Sequence, residues 1–163
     1  MKQVFTIILT ALTIAGFAQA QFEAPYQKNP TLPAFNMLML DSSEVFNSYN
    51  IPKGRPVILI MFSPDCNHCE QLTDSLIANM DKLKKARIYM VTPMPLSFIK
   101  DFYVKKKLAK YENVVLGKDY EFFFPKFYNA YDVPFIVVYD RKKALVNTFG
   151  QHATMKELIG AIK

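Results

Sequence analysis

Val57-Ile58-Leu59-Ile60-Met61-Phe62 is six apolar residues without alternation, the pattern of a strand covered on both faces. After a Ser63-Pro64-Asp65 break, Cys69, Leu72, Leu76, Met80 and Leu83 recur at spacings of three and four, which predicts one buried face of a helix. A buried strand therefore feeds a helix through a short turn. Ile88 to Val91 predicts a second central strand, Pro95 to about Tyr111 a helix with Phe98, Phe102 and Leu108 on its inner face, and Asn113 to Leu116 a third strand. Tyr120 to Tyr131 is aromatic and partly helical in pattern. Phe135 to Tyr139 and Ala144 to Phe149 flank the basic turn Asp140-Arg141-Lys142-Lys143, a hairpin signature. Thr154 with Glu157 three residues later marks a capping box ahead of a last helix carrying Met155, Leu158, Ile159 and Ile162.

Upstream, Phe35 to Asp41 predicts a first strand, and residues 21–34, with Pro25, Pro30 and Pro33, an extended leader. Alternating strands and helices imply an α/β domain over residues 35–163 with a mostly parallel sheet and right-handed crossovers. The closing hairpin makes that central sheet mixed, with helices flanking it.

The first twenty residues stand apart. Met1-Lys2-Gln3 is a basic start, Val4 to Ala18 carries no charge, and Ala18-Gln19-Ala20 has the small-x-small form of a signal-peptidase site. The expectation is a cleaved export signal, residues 1–20, and a periplasmic or secreted mature chain starting near Gln21. The alternative, a retained anchor, has an apolar stretch short of the roughly 20 residues that span a bilayer.

The chain has 163 residues, 51% hydrophobic and 21% charged, enough for one core and outside the compositions of disordered or repeat proteins. Its net charge of +6 draws on three separate runs, Lys84-Lys85-Ala86-Arg87, Lys105-Lys106-Lys107 and Arg141-Lys142-Lys143. Each falls at an expected helix end or turn, where cations are solvated and favourable, so no nucleic-acid partner is implied.

Two cysteines cannot build a disulfide-rich scaffold, but their placement carries chemistry. Cys66-Asn67-His68-Cys69 begins the helix after the buried strand. Residues three apart on a first turn have Cβ atoms about 5–6 Å apart, compatible with a disulfide that opens and closes with little backbone motion. The unpaired N–H groups and dipole at the helix start favour a thiolate at Cys66, making it the attacking sulfur. Cys69, one turn in, would resolve the mixed disulfide. An imidazolium at His68 would favour the thiolate further and make the pair a stronger oxidant, while an ionised Asp65 would push the other way.

Phe62-Ser63-Pro64-Asp65-Cys66-Asn67-His68-Cys69 after a buried strand, with Tyr131-Asp132-Val133-Pro134-Phe135 before a strand and hairpin, resembles the exported thioredoxin-like proteins of the TlpA/ResA type over residues 35–163. The resemblance implies a thioredoxin-like fold and a cis Val133-Pro134 bond facing the cysteines. The 68 residues from Cys66 to Pro134 exceed the plain thioredoxin spacing and leave room for the additional strand and helix of that type. The resemblance also implies Cys66, Cys69, His68 and Pro134 as the catalytic set. It implies Val133, Pro134, Phe135 and Asn67 as contacts for an extended substrate peptide, which would pair with the Val133-Pro134 backbone. Three positions depart from the thioredoxin pattern. Ile60 stands where a buried acid assists proton transfer, the chain has no Trp, and Asn67-His68 replaces Gly-Pro, with a His as in DsbA-like oxidants.

The activity expected is therefore thiol–disulfide exchange on exported substrate proteins, favouring reduction, with a membrane electron donor and no cofactor beyond the Cys66–Cys69 disulfide. Oxidase or isomerase action is the runner-up. Other readings of the pair are a static bridge or a zinc half-site, for which His68 and His152 are the only histidines; His152 reads as a surface residue. A different class, a thioredoxin-fold binding module holding a metal or an apo-cytochrome segment without turnover, is motivated by Ile60. The aromatic run from Tyr120 to Tyr131 either packs on the sheet or lines a partner groove.

Overall fold

The computed structural model describes residues 23–163; the expected export signal lies outside the described residues. Seven strands form one sheet: β1 (Asn36–Met39), β2 (Val45–Asn47), β3 (Val57–Met61), β4 (Arg87–Thr92), β5 (Val114–Lys118), β6 (Phe135–Tyr139) and β7 (Leu145–Phe149). Their spatial order is β2-β1-β5-β4-β3-β6-β7. Only β3-β4 and β4-β5 pair in parallel; the other four pairings are antiparallel. The sheet is thus mixed, and the expectation of a mostly parallel one holds for its centre alone. The chain ends the sheet with β1-β2 on one side and β6-β7 on the other, and tight turns of this kind join antiparallel strands.

Alternate residues of each strand feed two separate cores. On one face Ile58, Ile60, Ile88, Met90, Leu116, Ile136 and Val138 meet four helices. These are α2 (Asn67–Ala78), α3 (Met80–Leu83), α4 (Leu96–Lys105) and α6 (Met155–Ala161). On the other face Val57, Leu59, Met61, Tyr89, Val91 and Val137 meet Phe124 and Tyr128 of α5 (Phe123–Tyr128). Every residue of β3 is buried, as its unbroken apolar run requires, and burying each such side chain contributes about 1.5–3 kcal/mol. Five of these elements, α3, β4, α4, β5 and α5, lie between α2 and β6.

Four expectations shift. The helical pattern from Cys69 to Leu83 is interrupted at Asn79, whose N–H closes on the carbonyls of Ser75 and Leu76 and whose side chain caps Ser75 O at 3.0 Å. On α4 the buried residues are Ile99 and Phe102, while Phe98 is 49% exposed. A single stripe of the helix meets the sheet, and Phe98 and Phe102, four apart, straddle its edge instead of both lying within it. Leu108 is buried as expected, but in a separate 3₁₀ turn, Leu108–Lys110, after Lys107 takes a left-handed conformation. The segment expected as an extended leader contains a helical turn, α1 (Pro25–Lys28), that lies against α5. The same segment is pinned by Ser48, whose hydroxyl donates to Pro33 O at 2.6 Å and accepts from Phe35 N at 2.8 Å.

The aromatic run divides between the sheet and the surface. Phe124 and Tyr128 are buried, Phe123 and Phe127 half-buried, and Tyr120, Phe122 and Tyr131 exposed. Asp119, itself buried, accepts from the N–H groups of Phe123 and Phe124 at 2.9 Å each, which satisfies two otherwise orphaned donors at the start of α5.

Candidate functional site

β3, β4 and β5 run parallel, so the loops after them emerge at one end of the sheet. β6 begins and β7 ends at that same end, because β6 is antiparallel to β3 and β7 to β6. Cys66, the Val133-Pro134 segment and the loop Gly150-Gln151-His152 are brought together there by topology.

Cys66 is the N-cap of α2, with extended backbone, and its Sγ accepts the N–H of Cys69 at 3.3 Å. Its thiol also donates to the carbonyl of Val133 at 3.7 Å. Both cysteines are free thiols, Cys66 half-buried and Cys69 1% exposed. The amide of Ser63 donates to Cys69 Sγ at 3.5 Å. Burial, aided by the hydrogen bond to Cys66 and the nearby charges of Cys66 and Asp65, pushes the Cys69 thiol up to about 12. The two sulfurs are thus unequal: one is partly open to solvent at a helix start, and the other is a neutral thiol sealed in the core.

The Val133–Pro134 bond is cis, and Pro134 is buried beside the cysteine turn. Two hollows meet at it. One, of about 240 Å³, is walled by His68, Gln71, Pro134, Gln151 and Thr154 among others; the other, of about 540 Å³, by Tyr131, Asp132, Pro134, Phe135, Gln151 and His152 among others. Asn67 is exposed at the first position of α2. The structure therefore brings Cys66, Cys69, His68, Val133, Pro134 and Phe135 to one end of the sheet. His68 is exposed there, and among the described residues the two sulfurs accept from the Ser63 and Cys69 N–H groups and Cys66 donates to the Val133 carbonyl, with no hydrogen bond to the His68 imidazole.

Ile60 is fully buried within the core that holds Cys69. No carboxylate occupies that place; Asp65, on the solvent side, is bonded by the Ser63 hydroxyl instead. Sequence reasoning missed Gln151 as a wall of the site, while Tyr131 already belongs to the motif before β6. The signal for Gln151 is topological: once β6-β7 is a hairpin, the residues after β7 must return to the end where β6 starts. Among the described residues no group of three metal-binding side chains comes together, and no helix is long and apolar enough to cross a membrane.

No protein-family model matches the chain, and no curated protein matches it. Solved structures do. A thioredoxin-like protein from Aeropyrum pernix superimposes with a TM-score of 0.62 at 19% identity, covering 79% of this chain and 88% of that one. A secreted Mycobacterium tuberculosis disulfide oxidoreductase homologous to E. coli DsbE gives 0.64 at 17% identity, covering 78% and 93%. M. tuberculosis DsbF, in mixed oxidized and reduced forms, gives 0.61 at 14% identity, covering 78% and 92%. With its mixed seven-stranded sheet flanked by helices, the chain has a thioredoxin-like fold.

Proposed function

We propose that the protein is an exported thiol–disulfide oxidoreductase of the TlpA/ResA type that reduces disulfides in exported proteins. The observation that carries this is the asymmetry of the pair: Cys66 caps a helix start in partial contact with solvent, over a Cys69 sealed in the core. In the first step the Cys66 thiolate attacks one sulfur of a substrate disulfide, forming a mixed disulfide and releasing the other substrate sulfur as a thiolate. In the second, Cys69 loses its proton and attacks Cys66 Sγ, the second substrate thiolate leaves, and the Cys66–Cys69 disulfide closes. Two electrons pass from the dithiol to the substrate, and a dithiol donor at the membrane restores them.

The Cys69 N–H on Cys66 Sγ supports the first step by fixing the attacking sulfur at the start of α2. The Val133 carbonyl and Pro134 face the attacking sulfur, and the hollows beside Pro134 offer room for side chains of an extended substrate. His68, Asn67 and Phe135 stand around that mouth as contacts. No prosthetic group is needed by this chemistry.

The direct test is reduction of insulin disulfides. Cys66→Ser is expected to abolish it, and Cys69→Ser to accumulate the mixed disulfide with substrate. Full activity in Cys66→Ser overturns the mechanism. A second reading has one observation behind it: with Ile60 in place of an acid, no buried carboxylate takes the proton from Cys69. A binding module without turnover would then hold stoichiometric metal or peptide after purification under reducing conditions and show no exchange.

A further inference from the structure

The end of the sheet opposite the cysteines gathers cations that are scattered in sequence. Arg55 precedes β3, Lys84, Lys85 and Arg87 lead into β4, Lys110 precedes β5, and Arg141 lies in the β6-β7 turn. Five of them, with Tyr89, Tyr111 and the single acid Glu112, line a hollow of about 670 Å³. Arg55 and Lys85 also line an adjoining hollow of about 550 Å³, together with Lys82 and Arg141. The first is larger than either hollow at Pro134, and both lie within the roughly 300–1,000 Å³ range of small-ligand sites.

The backbone beneath the cations is held in place. The side-chain amide of Asn113 donates to the carbonyls of Leu83 and Ala86 at 3.2 and 3.1 Å. Gly54 N donates to Arg141 O at 2.9 Å, which ties the Arg55 loop to the hairpin turn. The Arg87 guanidinium donates to Pro52 O at 3.2 Å. Among the described residues the ion pairs join Lys105 and Lys106 to Glu70 and Asp74 on α2, so none neutralises these cations.

We infer that the paired hollows sharing Arg55 and Lys85 bind a compact ligand bearing clustered phosphoryl groups. Arginine and lysine at the rim of a concavity suit phosphate oxygens through charge-assisted hydrogen bonds, and two tyrosines give the walls area for the rest of the ligand. Concavity separates this surface from the extended basic stripe that tracks a nucleic-acid backbone. A soluble polyphosphorylated compound and an anionic phospholipid headgroup share the required chemistry. In either case the ligand sits at the far end of β3 from Cys66, leaving the thiol mouth open.

Inorganic tripolyphosphate, titrated calorimetrically into the full chain at low salt, is the first probe; phosphatidylglycerol vesicles, against phosphatidylcholine vesicles, are the second. The expected result is saturable binding to at least one of them that Arg55→Glu/Lys85→Glu weakens by about tenfold or more. The exposed pair Lys100→Glu/Lys156→Glu changes net charge equally but should leave binding within about twofold, since it acts only through screened long-range charge. Tripolyphosphate binding alone assigns a soluble ligand, and vesicle binding alone a headgroup. Equal weakening by both double variants at matched melting temperature, no saturable binding of either probe, or tighter binding of a single-stranded oligonucleotide than of both, overturns the inference.

Discussion

Raising pH on the fully reduced protein probes the inequality of the two sulfurs directly. Iodoacetamide reacts with thiolates, and burial holds the Cys69 thiol at about 12. At pH 7 its thiolate fraction is therefore about 10⁻⁵, against about 1% for an unperturbed cysteine near 9.0, a handicap of about 1,000-fold before steric protection is counted. Quenched alkylation with peptide mass mapping should show a single adduct at Cys66 at pH 7. The Cys69 adduct should form at a rate rising about tenfold per pH unit toward 12, since each unit multiplies its thiolate fraction by that factor. Unfolding in denaturant should bring its rate to that of a free cysteine. Labelling of native Cys69 at pH 7 within about tenfold of the free-cysteine rate, or a rate flat between pH 7 and 9, refutes the sealed-thiol reasoning.

Other consequences follow from the packing. Stability should fall on the alkaline side: the folded pKa of Cys69, and those of the hydrogen-bonded Tyr128 and Tyr139, are raised, chiefly by burial. Their contribution is complete below the unfolded values and lost as pH rises through about 9 to 12; urea melts should show the decline, reduced in Tyr128→Phe/Tyr139→Phe. Gly117→Ala places a Cβ 2.8 Å from Met37 Sδ and 3.2 Å from Leu38 O, an overpacking expected to cost about 1–3 kcal/mol by chemical denaturation. Thr154→Ala removes the cap that accepts Glu157 N and should cost about 1 kcal/mol, read as a lowered melting temperature. Asp119→Ala leaves one buried and one half-buried N–H group of α5 without their acceptor, and should cost about 2 kcal/mol while loosening the aromatic layer in hydrogen exchange.

The legible parts of this fold are those where local pattern and tertiary environment agree. The unbroken run at Val57–Met61 is a fully buried strand, and the Thr154/Glu157 box caps the last helix through both of its hydrogen bonds. The cysteine motif at a strand-to-helix turn is legible for the same reason, because its position follows from those two elements. What sequence conceals is set by partners distant along the chain. β2 is three residues long, with one exposed and two half-buried, and exists because Val45 to Asn47 pair with β1. The interruption at Asn79 leaves the helical spacing intact on both sides. Phe98 is apolar and in phase with Phe102 yet exposed, since its neighbour Ile99 faces the sheet. The basic runs read one by one as solvated ends; Lys84-Lys85 and Arg141 converge only through the order β4-β3-β6. The third, Lys105-Lys106, instead ties α4 to α2, with the Lys106 side chain 8% exposed between Glu70 and Asp74.

The proposed activity requires Cys66 and Cys69 to cycle between dithiol and disulfide. Titrating the full chain against thiol buffers of defined potential, with the cysteine state read by alkylation and mass, tests it most directly. One reversible two-electron transition is expected in the span of about 150 mV between thioredoxin-like and DsbA-like values, abolished in both Cys66→Ser and Cys69→Ser. A pair that stays reduced or stays oxidised across that whole span would contradict it.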